Sequence, residues 1–61
     1  LLQQKVVEAM NTLPNDQREV VFLTFYEGLS YAEIAGILDI PQGTVKSRMF
    51  HAKRKIAEAL T

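Results

Sequence analysis

Sixty-one residues carry seven basic side chains, seven acidic ones, one histidine and no cysteine, for a formal net charge of zero. A chain this short supports one small domain, and without cysteine neither disulfides nor thiolate-bound zinc can staple it. The apolar share, 48%, is that of a folded protein, and the longest apolar run, Val20-Val21-Phe22-Leu23, is far too short to cross a bilayer. One histidine makes no ligand set, so no metal or cofactor is expected. Stability must come from helix packing or from a partner.

The sequence opens on leucine within a helical pattern, so residues 1–61 are expected to be one domain of a longer protein. Leu2, Val6, Met10 and Leu13 recur at three- and four-residue spacing and predict an amphipathic helix over residues 1–11. Pro14 suits the first turn of a second helix, where Asp16 and Glu19 complement the positive end of the dipole. That helix is expected to reach about Glu27, with Gly28 supplying the left-handed stop. Ser30-Tyr31-Ala32-Glu33 fits a capping box and opens a short third helix, residues 31–38, that turns Ile34, Ala35 and Leu38 inward. Asp39-Ile40-Pro41 breaks it, and a fourth helix is expected over residues 42–60. No stretch alternates with strand period. The fold class is all-α, a four-helix domain.

The third and fourth helices, joined by a few residues, have the spacing of a helix-turn-helix. Counting Tyr31 as the first helical position, apolar residues fall at the fourth (Ile34), eighth (Leu38), tenth (Ile40) and fifteenth (Val45). The fifth, Ala35, is small where the two helices must cross closely. The ninth, Asp39, stands where a positive φ is needed, which aspartate visits more readily than most residues.

Charge is unevenly placed. Residues 1–45 hold Lys5 and Arg18 against six acids, whereas residues 46–61 hold Lys46, Arg48, Lys53, Arg54 and Lys55 against Glu58 alone. A basic end is the electrostatic footprint of a nucleic-acid partner, or else a solvated helix end favoured by its dipole. Projection at about 100° per residue puts Val45, Met49, Ala52 and Ile56 on one stripe of the fourth helix. Gly43, Ser47, Phe50 and Arg54 lie opposite, with Lys46 and His51 on the shoulders. That outer face holds base-reading chemistry: an ammonium, a hydroxyl, an imidazole, and an aromatic suited to a thymine methyl. An exposed Phe50 points to a contact outside the domain, either DNA or a neighbouring segment of a longer chain.

Leu13-Pro14, Gln17-Arg18-Glu19-Val20, Glu27-Gly28-Leu29-Ser30-Tyr31-Ala32-Glu33-Ile34-Ala35 and Pro41-Gln42-Gly43-Thr44-Val45-Lys46-Ser47-Arg48 together resemble region 4 of bacterial RNA polymerase sigma factors, most closely the extracytoplasmic-function (ECF) group. The likeness spans roughly residues 10–60. It implies a cytoplasmic, non-enzymatic role in transcription initiation, with the fourth helix in the major groove of the promoter −35 element. By position, Lys46, Ser47, Phe50 and His51 would then meet base edges, and Tyr31, Thr44, Arg48 and Arg54 phosphates. It also implies packing on the flap of the polymerase β subunit, possible capture by an anti-sigma factor, and no membrane insertion. The apolar set Val20, Val21, Phe22, Leu23, Phe25 and Tyr26 exceeds what one helix can bury and is the expected partner surface. Three positions depart from the family pattern: Thr24 and His51 stand where arginine is common, and Asp39 where glycine is usual. Two other readings stay open. LuxR-type output domains share the Gly-Leu-Ser and Gly-Thr-Val-Lys stretches but usually continue with a residue and a histidine, where this chain has Ser47-Arg48. A pure interaction domain could retain the helix-turn-helix as scaffold.

Overall fold

Four helices follow in chain order: α1 (Leu2–Thr12), α2 (Asn15–Phe25), α3 (Tyr31–Leu38) and α4 (Gln42–Leu60). The computed structural model describes residues 2–61, with side chains from Gln3 onward. Leu1, and the side chain of Leu2 expected in the first apolar stripe, lie outside the described residues.

The boundaries follow from backbone chemistry. Pro14 lacks an N–H, and its extended backbone (φ −57°, ψ 153°) makes it the cap of α2 rather than a residue of the first turn. Its carbonyl receives the N–H groups of Gln17 and Arg18. Helix α2 closes two residues before Glu27: the Glu27 and Leu29 N–H groups donate to the Phe22 and Leu23 carbonyls while Gly28, at φ +68°, reverses the chain.

Ser30 caps α3 reciprocally. Its hydroxyl oxygen accepts the Glu33 N–H at 3.1 Å, and Glu33 Oε1 accepts the Ser30 N–H at 2.9 Å. The Ser30 backbone N–H first, and its hydroxyl second, hold the Glu33 carboxyl below its ordinary pKa, because both favour the charged form. At the other end Asp39 adopts φ 55°, ψ 50°, and the Asp39 and Ile40 N–H groups both reach the Ala35 carbonyl. This is a Schellman-type stop, with Ile40 packed back onto the core. Pro41, again extended, opens α4.

Helix α4 is the spine: α1, α2 and α3 each pack on it, and α3 also packs on α2. The core joins Leu13, Val20, Val21, Ile34, Val45, Met49 and Ala52, with Ile34, Val20 and Val45 wholly enclosed. Each such aliphatic side chain removed from water is worth about 1.5–3 kcal/mol. The expected α4 stripe is therefore the observed one, with Ile56 partly buried at its end. The α1 stripe differs. Ala9 is buried at 2% exposure whereas Val6 is 37% exposed, because α1 packs chiefly on α4.

Candidate nucleic-acid interface

Once Val45, Met49 and Ala52 are buried, helical geometry fixes the rest of α4. Gly43, Lys46, Ser47, Phe50, His51 and Arg54 are all exposed, forming one continuous outer face. Phe50 is 61% exposed, and its ring and that of His51 meet edge to face with centroids 5.4 Å apart. The pair forms a small π ledge beside the cations. No Cβ would be obstructed at Gly43, which leaves the first turn open to close approach. Arg54 pairs locally with Glu58 at 3.4 Å, its side chain still 68% exposed and free to swing outward. Tyr31 and Thr44 are half-buried at the edge of this surface, Tyr31 resting against the core.

Arg48 is placed differently. Its Nε lies 3.6 Å from Asp16 Oδ2 at the start of α2, and its side chain is 28% exposed. This tertiary pair was not legible in the sequence, where Asp16 reads only as a helix-dipole acid. Thr24 also turns inward: its hydroxyl donates to the Val20 carbonyl at 2.7 Å and lies 3.6 Å from Met49 Sδ. It braces α2 against α4 instead of reaching outward as an arginine would.

The six apolar residues expected to meet a partner divide into two sets. Val20 is buried and Leu23 packs against the core, so these two serve the fold, not a partner surface; Val21, 5% exposed, belongs to the core and also lines the apolar groove beside α1. Val20, at 0% exposure, can touch nothing outside the domain. Phe22, Phe25 and Tyr26 face outward, 45%, 65% and 77% exposed, with the Phe22 and Tyr26 rings stacked at 5.1 Å. They form one wall of an apolar groove of about 500 Å³ whose other walls are Val6, Val7 and Met10 of α1 and Ile56 of α4. Arg18 and Lys53 add positive charge to its lining. The contribution of α1 was missed because Val6 reads from its spacing as core.

Among the described residues no cluster of His, Asp or Glu could hold a metal, and no helix is long and apolar enough to cross a membrane. Residues 3–56 match the family described as Sigma-70, region 4. The chain is 47% identical over 55 residues to the ECF RNA polymerase sigma-E factors of Escherichia coli (strain K12) and Salmonella typhi. It is 44% identical to that of Haemophilus influenzae. Each match covers 90% of this chain and 29% of the relative, so the chain spans less than a third of the length of these curated relatives. The four-helix architecture, the capped helix-turn-helix and these matches agree: the chain belongs to the Sigma-70 region 4 family, and the relatives it matches are ECF sigma factors.

Proposed function

We propose that this domain recognises the −35 element of promoter DNA as part of RNA polymerase holoenzyme, with the outer face of α4 in the major groove. One observation carries the reading: Lys46, Ser47, Phe50 and His51 are exposed together on the face opposite the buried stripe of a helix-turn-helix. Lys46 and His51 offer donors to guanine or phosphate oxygens, Ser47 a donor and acceptor, and Phe50 an apolar contact for a thymine methyl. Tyr31, Thr44 and Arg54 fix the helix on the backbone. Arg48 is set apart from them by its contact with Asp16. The groove lined by Phe22, Phe25 and Tyr26 receives an amphipathic helix, from the flap of the polymerase β subunit or from an anti-sigma factor.

The test is transcription by holoenzyme carrying the full-length factor, on promoters varied base by base through the −35 element. Phe50→Ala and His51→Ala should each cost about 1–3 kcal/mol on the preferred sequence and relax preference at one position. Equal loss from every −35 variant would show that these side chains do not read bases.

A further inference from the structure

Among the described residues one ion pair joins two helices: Arg48 of α4 with Asp16 of α2, at 3.6 Å. The Arg54–Glu58 pair lies within a single turn of α4 and restrains nothing beyond it. Asp16 is itself oriented, since its Oδ1 accepts the Gln17 N–H at 2.9 Å, leaving Oδ2 for the guanidinium. At about 100° per residue Arg48 falls on the flank of α4 between the buried stripe and the outer face, one turn from both Thr44 and His51. The apolar contacts beneath α4 are non-directional and tolerate small rotations about the helix axis. A charged contact on the flank does not, because rotation moves the guanidinium away from a fixed carboxylate.

We infer that Asp16 is a positioning residue for DNA recognition: through Arg48 it sets the rotation of α4, and so the aim of Lys46, Ser47, Phe50 and His51, while keeping the Arg48 charge off the phosphates. A partly exposed pair of this kind adds little to stability. Its effect is on selectivity. A free arginine on the flank strengthens contact with any duplex alike and is read in the salt slope, so loss of discrimination reports the altered aim of the base-reading face. The inference rests on the proposal that the outer face of α4 meets DNA.

The experiment uses the full chain that carries this domain, a duplex bearing the sequence it selects from a randomised pool, and a scrambled duplex, titrated across a salt series. Asp16→Asn should lower discrimination between the two duplexes by up to about fivefold, the most a partly exposed pair can supply. It should also steepen the log–log salt dependence on the scrambled duplex by up to about 0.9, as Arg48 is released to a phosphate. Arg48→Gln should lower discrimination similarly and leave the salt slope unchanged. The exchanged pair, Asp16→Arg with Arg48→Asp, should recover most of the discrimination. Thermal melts check folding, and if a single variant fails to fold, the exchanged pair and the remaining single variant decide. Unchanged discrimination in Asp16→Asn overturns the inference, as does a salt slope lowered by about 0.9 in Arg48→Gln with discrimination retained. A folded exchanged pair that does not recover discrimination overturns it too. If Lys46→Ala and Phe50→Ala also leave discrimination intact, the fault lies with the base-reading proposal itself.

Discussion

Asp39 holds a left-handed backbone, φ 55°, that most side chains avoid at a cost of about 1–2 kcal/mol. Aspartate tolerates it better than most, and glycine best. Asp39→Gly should therefore raise stability by up to about 1 kcal/mol, read from a thermal melt, with no change in helix content. A lower melting point would mean that the Asp39 side chain makes a compensating contact. At the other end of α3, Glu33 is held below its ordinary pKa by the Ser30 N–H and hydroxyl. Its native contribution is therefore full above the ordinary carboxylate range and is lost as pH falls through the lowered value. Glu33→Gln should melt below wild type at neutral pH, and the gap should close on acidification. A gap independent of pH would rule out the charged form as the stabilising one. Where the family pattern commonly has arginine, the structure turns Thr24 inward onto Val20 and Met49.

The helix-turn-helix was legible almost residue by residue because its signals are local. Ser30 with Glu33, a small residue at 35, a positive-φ residue at 39 and Pro41 each act within one turn of their own position. Ala35 packs against the core where α3 crosses its neighbours, and its carbonyl receives the N–H groups of Asp39 and Ile40. Ala35→Leu should cost about 1–3 kcal/mol by forcing the helices apart, whereas Ala32→Leu, on the exposed side, should stay within about 0.5 kcal/mol. Equal melting points would undo the close-crossing argument. The sequence was less informative about α1 and α2. Apolar residues run around much of α2, so periodicity alone could not separate Val20, Val21 and Leu23 from Phe22, Phe25 and Tyr26; the positions of α3 and α4 decide which are covered. Val6 keeps core spacing yet is left at the groove because α1 has a single principal neighbour. The Asp16–Arg48 pair joins residues far apart in sequence, and no local pattern encodes it.

Across the whole molecule, charge and apolar surface mark different ends of its chemistry. Five of the seven basic residues lie in α4, while Phe22, Phe25 and Tyr26, at the end of α2, face the groove shared with α1. Phe25→Ala tests that division. At 65% exposure the side chain contributes little to the fold, so the melting point should move by no more than about 0.5 kcal/mol equivalent. Association of the full chain with polymerase core should weaken by about 2 kcal/mol or more, as for a buried aromatic anchor. Undiminished association would remove Phe25 from the docking surface. The construction of the groove has a further consequence. Two of its walls, one of Val21, Phe22, Phe25 and Tyr26 and one of Ile56, are anchored by helices locked into the core, but the third is carried by α1, which is attached chiefly through α4. Thinly attached elements open most readily, and their amides exchange with solvent through those openings. Anything seated between α1 and α2 closes that route, so deuterium uptake across residues 3–12 becomes a gauge of groove occupancy.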